Sequence, residues 1–213
     1  MKMLLLILEL LLVLAGIYLI ASNLFPLVIL LLFIMAWVSL RLRHLSWRLV
    51  GLKKPDHVLT TIALALLVGC AYQALDTLAI APLLQRLTGE AIDLSQFAGL
   101  RGNLPILIAS LLLTWTEAAF IEEMFFRAYL FNRLTDLFGR KSLGVLLALV
   151  TQAILFGLGH TYQGVTGVFD TALAGLVIGL LYLRGKGNLW LPILTHGIID
   201  TIGFLLIFLG LAA

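Results

Sequence analysis

The sequence predicts an all-α protein: a polytopic helical bundle integral to a membrane, with about seven transmembrane helices and its functional core in the last four. Three observations carry this prediction. Of 213 residues, 62% are hydrophobic and 12% charged, about half the charged share of an average soluble domain. Mean hydropathy is +1.12, and a soluble domain of this length has too little interior to hide so much apolar surface. Apolar runs near the length needed to cross a bilayer, roughly 20 residues, recur along the chain. A disordered chain, a nucleic-acid-binding module and an ordinary soluble enzyme are excluded. The pI of about 9.2 accompanies a net charge of only +3, and the placement of the basic residues explains it.

The spans are expected at 3–22, 24–40, 58–81, 104–126, 143–160, 167–183 and 189–211, the second and sixth being short. The first follows Lys2. It is longer than a signal-peptide core and is interrupted by Glu9, so it reads as a retained helix. Arg41, Arg43, Arg48, Lys53 and Lys54 follow the second span; Arg127, Arg133, Arg140 and Lys141 follow the fourth; Arg184 and Lys186 follow the sixth. With Lys2 these make 12 basic residues on one side, against Arg86 and Arg101 on the other. Cytoplasmic loops carry the excess of Lys and Arg. The expected orientation is N-terminus inside and C-terminus outside, in a bacterial cytoplasmic membrane. Residues 41–54 read as an amphipathic segment on the inner surface, with Trp47 as an interfacial anchor. The chain forms one membrane domain, divided into N-terminal helices at 1–103 and a core at 104–213. The lone Cys70 permits neither an intrachain disulfide nor a cysteine-based metal site.

Ionisable residues inside spans are costly and mark functional candidates. Glu122, Glu123 and Arg127 form the first group. On a helix, Glu123 and Arg127 lie at i,i+4 and can pair, whereas Glu122 points roughly 100° away. The bland reading is a helix end at which all three reach water. His160 closes the run Phe156-Gly157-Leu158-Gly159-His160, where glycines allow another backbone close; a lone histidine there can also be merely interfacial. His196 and Asp200 share a face of the last span, and a self-satisfied pair is the alternative. Taken together, these carboxylates and imidazoles from three helices can converge only on a polar cavity inside the bundle. Such a set suits activation of water by a carboxylate with histidine help. No His-Glu-x-x-His, Gly-x-Ser-x-Gly, Gly-x-Gly-Asp or P-loop pattern is present.

The ordered patterns Glu122-Glu123-x-x-x-Arg127, Phe156-x-x-x-His160 and His196-x-x-x-Asp200 on late apolar helices resemble the CPBP family. This is the CAAX-protease and bacteriocin-processing (Abi) family of intramembrane endopeptidases. The likeness covers roughly residues 104–204, including the run Gly187-Asn188-Leu189-Trp190-Leu191-Pro192-Ile193. It implies a catalytic set of Glu122, Glu123, His160, His196 and Asp200, with Glu122 and His160 activating water and His196 and Asp200 at the oxyanion. Arg127 would be the structural partner and Phe156 a packing residue. Prenyl-protein members usually have asparagine where this chain has Asp200. An ionised aspartate cannot donate to an oxyanion, so Asp200 is protonated there or orients His196. No obligatory cofactor is expected. The alternative is one divalent metal such as zinc, held by Glu122, His160 and His196 with a water.

The expected partners are membrane lipid and a protein or peptide substrate, lipidated or not, with no nucleic acid and a monomer favoured. The cavity is expected to open to the cytoplasm if the substrate is a cytoplasmic tail. Two other functions compete: a non-catalytic immunity or assembly factor of the same family, and a proton-coupled transporter with Glu122 and His160 as a relay. Gly175-x-x-x-Gly179 reads as close helix packing within the bundle, with homodimerisation as the alternative. Glu9 and Asp76 read as structural, and Glu117 and Asp170 as cavity-lining or interfacial groups without a role.

Overall fold

The computed structural model describes residues 2–22 and 27–211, and among these it is helical with no strand. The long helices are α1 (Lys2–Ala21), α2 (Val28–Leu42), α3 (Val58–Thr88), α4 (Leu104–Phe138), α5 (Ser142–Leu158), α6 (Gly164–Arg184) and α7 (Trp190–Phe208). Among the described residues, α1, α3, α4, α7 and the stretch Thr161–Arg184 containing α6 are long and apolar enough to cross a membrane. The apolar helices α2 and α5 are shorter. The chain is an integral membrane protein of five candidate spans, and the expected count of about seven is reached only if α2 and α5 also cross. Residues 24–26, where the second span was expected to begin, and the Lys2 side chain lie outside the described residues.

Several boundaries differ from expectation, among them that of the third span, which runs on from 81 to Thr88 in α3. The sixth span is not short: α6 starts at Gly164, and it is α5 that stops early, at Leu158. The second glycine of Gly157-Leu158-Gly159 follows its last turn, where glycine favours an end. The largest difference is α4, which runs on from Phe126 to Phe138. Hydropathy ends the span at Arg127 because polar residues follow, yet Arg127 and Arg133 are buried, and Arg133 pairs with Asp136 at 2.9 Å. At 35 residues, α4 is about 50 Å long if α-wound throughout, well beyond a hydrocarbon core of roughly 30 Å. Glu122 therefore lies near its middle. Without Arg127 and Arg133, ten basic residues still oppose two.

Residues 43–57 form turns, not a surface helix. Trp47 stacks on Phe33 of α2, with ring centroids 5.2 Å apart. Arg43 binds both carboxylate oxygens of Glu9 at 2.6 and 2.8 Å, which makes Glu9 a structural clamp between α1 and α2.

The bundle has two distinct ends. At the basic end, the Leu189 N–H donates to the Gly51 carbonyl at 3.0 Å, and Asn188 donates to the Lys53 carbonyl at 3.0 Å. At the other end, Thr161 donates to the Ala21 carbonyl at 2.6 Å. There too, Asp93 N–H bonds the Gln163 carbonyl at 2.9 Å and Gly102 N–H the Phe208 carbonyl at 3.0 Å.

Helices α5 and α6 pack backbone to backbone. A Cβ built on Gly157 would strike the Val168 carbonyl of α6, while Gly175 meets Phe156 and Gly179 meets Leu149 and Gln152. The small-residue pattern is thus a seam inside the bundle. The Gly157→Ala variant is expected to part α5 from α6 and to lose about 1–3 kcal/mol, the usual penalty of overpacking. Thermal unfolding in detergent checks this; an unchanged midpoint would show that the seam gives way freely. Outward leucines of α1 such as Leu4, Leu8, Leu11 and Leu12 are exposed on the bundle and in a bilayer face lipid.

Candidate active site

The acidic motif sits where α4 departs from α-helical winding. Residues Thr114–Glu122 and Met124–Leu130 are wound as π-helix, a geometry that recurs at functional sites. Glu123 and Arg127 nevertheless pair as the i,i+4 spacing predicts, Arg127 Nη1 donating to Glu123 Oε1 at 2.7 Å with both side chains buried. The same oxygen accepts from His196 Nδ1 on α7 at 2.8 Å. Arg127 Nη2 donates to the Gly175 carbonyl of α6 at 3.2 Å, which also accepts from Gln152 Nε2 of α5 at 3.2 Å. One buried chain of hydrogen bonds thereby ties α4, α5, α6 and α7 together.

Phe156 packs at the centre. Its ring lies 4.9 Å from Phe126, 5.0 Å from His160 and 5.8 Å from His196, centroid to centroid. The Arg127 guanidinium sits 4.6 Å above its face, within the range of a cation–π contact. Gly175 leaves room for this ring.

His160 lies just beyond α5, and its Nδ1 is 2.9 Å from the Phe156 carbonyl. A carbonyl only accepts, so Nδ1 carries the hydrogen, and in the neutral ring Nε2 is left as an acceptor. His196 is fixed in the same sense. A carboxylate accepts from its Nδ1, and its Nε2 lies 3.5 Å from Asp200 Oδ2, too long for a strong hydrogen bond.

Glu122, His160, His196 and Asp200 all line one cavity of about 660 Å³. Glu122, His160 and Phe156 also line a second, smaller cavity of about 270 Å³ beside α1 and α2. One Glu122 oxygen, Oε2, is buried with no hydrogen-bond partner among the described residues. The expected convergence on one cavity therefore holds for these four residues. Glu123 and Arg127 stand behind the cavity wall and do not line it. The long α4 makes this possible, because it raises Glu122 from the basic end toward the level of His160.

The cavity lies away from the basic end. Ala91, Ile92 and Leu94 of the 88–103 connection line it, as do Leu206 and Ile207 near the close of α7. No described residue of 41–54, 139–142 or 184–190 does so. An opening toward the basic face is thus not what the fold provides.

Among the described residues, no three His, Cys, Asp or Glu side chains are grouped so as to hold a metal ion. Glu122, His160 and His196 share a cavity without forming such a group.

The sequence reading missed three polar residues. Gln152, buried in α5, braces Gly175, and a glutamine in an apolar span was the available signal. Tyr162 lines both cavities, its ring tilted against that of His160 with centroids 5.6 Å apart. Tyr72 lines the large cavity from α3. Both tyrosines are ordinary residues at membrane depth, and nothing in the local pattern singles them out.

Residues 104–202 match the family model described as Type II CAAX prenyl endopeptidase Rce1-like. No curated protein and no solved structure matches the chain.

Proposed function

We propose, from the Rce1-like CAAX protease domain that residues 104–202 carry, consistent with the CPBP family of intramembrane proteases, that this membrane protein is an endopeptidase hydrolysing a peptide bond with glutamate- and histidine-activated water. The observation that carries the reading is the shared cavity wall of Glu122 and His160, with His160 Nδ1 committed to a carbonyl. In this reading Glu122 takes a proton from water while the water oxygen attacks the peptide carbonyl. His160 Nε2 accepts the second water hydrogen and holds the nucleophile in line. His196, carrying a hydrogen on both ring nitrogens, donates Nδ1–H to Glu123 and Nε2–H to the oxygen on which negative charge develops, with Asp200 alongside. Glu122 then returns its proton to the departing amine, leaving a carboxylate and a free amino terminus. No obligatory metal enters this scheme.

The remaining basic asymmetry supports an N-terminus inside and a C-terminus outside, in a bacterial cytoplasmic membrane. In that orientation the cavity serves the outer end of the bundle, and the substrate is a peptide reaching it from there or from the outer leaflet, lipidated or not. The protein acts as a monomer in this reading, since the pocket is complete within one chain.

The purified protein is to be incubated with a proteome-derived peptide library and with a CAAX-type reporter, with Glu122→Ala and His160→Ala as controls. Cleavage of library peptides that falls about 10²–10⁴-fold in His160→Ala is expected, the usual worth of a positioned acid–base group. Identical cleavage by wild type and His160→Ala would reject the mechanism. Labelling of single cysteines placed at residues 92 and 186, in a Cys70→Ser background, tests the orientation; reaction of residue 92 from the cytoplasmic side would reverse it.

A further inference from the structure

We infer that the α3–α6 wall of the large cavity is a subsite for a cationic group, and that it takes a lysine or arginine side chain of the peptide being cleaved. The second half rests on the endopeptidase reading; the first stands without it.

Asp76 opens a π-wound turn in α3, Asp76–Ile80, and Tyr72 lies one turn before it. Asp170 projects from α6. The two carboxyls are in side-chain contact, and Tyr72 lines the same cavity four residues before Asp76 on α3. All three residues line the cavity. Tyr72 is only 8% exposed and Asp76 9%. Yet Tyr72 Oη, Asp76 Oδ1 and Asp170 Oδ1 are buried with no hydrogen-bond partner among the described residues. Orphaned polar atoms of this kind are uncommon in native structures and call for an explanation.

Charge supplies it. The cavity is lined by Asp76, Glu117, Glu122, Asp170 and Asp200, and by no Lys or Arg among the described residues. Arg127, the nearest cation of the catalytic motif, is spent on Glu123 behind the wall. Two carboxyls in contact hold a proton or a cation between them, because like charges so close cannot both stand alone. Acids inside a membrane bundle pair with a cation or line a pathway for one. Tyr72 and the two aspartates present acceptor oxygens in one place. An ammonium or guanidinium group has only donors and matches them. The same cavity holds Glu122 and His160, and its volume lies within the usual range for a bound ligand, about 300–1,000 Å³. A peptide lying across it would present one side chain to Asp76 and Asp170 while its backbone passes Glu122.

The test uses the full-length protein in detergent. A cleaved arginine- or lysine-containing library peptide is resynthesised with citrulline or norleucine at that position. The basic peptide is expected to have a kcat/KM about thirtyfold higher, the low end for a buried charge partner. That preference should vanish in Asp76→Asn and in Asp170→Asn while cleavage of the neutral peptide persists. Tyr72→Phe, which keeps both carboxyls, should weaken it and serves if an asparagine variant does not fold. Cleavage without preference for a basic residue, or a preference untouched by these variants, overturns the inference and leaves the endopeptidase standing. If the wild type cleaves nothing, the endopeptidase reading fails by itself, and arginine amide decides the rest. Thermal stabilisation by arginine amide that is lost in Asp76→Asn upholds a cationic subsite. No stabilisation, or equal stabilisation by sodium chloride at matched concentration, overturns it, the latter in favour of an inorganic cation.

Discussion

Glu122→Gln should yield a folded protein that has lost about 10²–10⁴-fold of its peptide hydrolysis, an increase of roughly 3–5.5 kcal/mol in the barrier. The two halves of this expectation have separate grounds. Stability should hold because Glu122 Oε2 is without a partner among the described residues and the side chain lines open cavity; an amide of the same shape removes no observed bond. Activity should fall because an amide cannot take a proton from water. The neighbouring residue is the control. Glu123→Gln keeps the shape as well, but it weakens an oxygen that serves both Arg127 and His196, so stability and activity should drop together. Thermal unfolding and single-turnover cleavage, measured on both variants, separate the cases. A Glu122→Gln protein that cleaves at the wild-type rate would end the water-activation mechanism, and one that unfolds would make Glu122 a structural residue.

The adjacent glutamates also show how far a sequence reaches. Their division of labour was legible: i,i+4 spacing assigns Glu123 to Arg127 and leaves Glu122 over, and the structure has that pair at 2.7 Å. The third partner was not legible. That His196 Nδ1 bonds Glu123, and only its Nε2 approaches Asp200, depends on how α4 and α7 dock, and no local spacing encodes docking. The fold class follows from composition and the recurrence of long apolar runs, since hydropathy reports which solvent a chain suits. Span ends did not. Hydropathy treats Arg127 and Arg133 as water-seeking, whereas burial among other helices satisfies them. A span that ends at Phe126 leaves Glu122 beside the basic end, whereas the helix that runs on to Phe138 carries it at mid-length.

Asp76 and Asp170 make the same point from the other direction. Each taken singly is an unremarked acid in an apolar run, and the pattern gives no reason to join residues so far apart in the chain. Their meeting is a property of α3 lying against α6 at the cavity. The glycine seam, by contrast, is encoded twice, by Gly157 on α5 and by Gly175 and Gly179 on α6, so reading it as packing within the bundle needed only one side of the contact.

Arg127→Ala is expected to cost about 3–5 kcal/mol of stability, as when one partner of a buried ion pair is removed. The reason is what it leaves behind. Glu123 would keep a buried carboxylate with His196 as its remaining partner, and the Gly175 carbonyl would keep only Gln152. The Phe156 ring would lose the guanidinium above its face and with it part of the support that positions His160 and His196. Arg127→Lys should recover a fraction, because an ammonium replaces the charge but cannot reach Glu123 and Gly175 through one planar fork. Expression yield and thermal unfolding in detergent should rank wild type above Arg127→Lys and Arg127→Ala last, with hydrolysis falling in the same order. The informative exception is an Arg127→Ala protein as stable as wild type yet inactive. Arg127 would then act on the reacting groups directly, and the wall between this ion pair and the cavity would have to open during turnover.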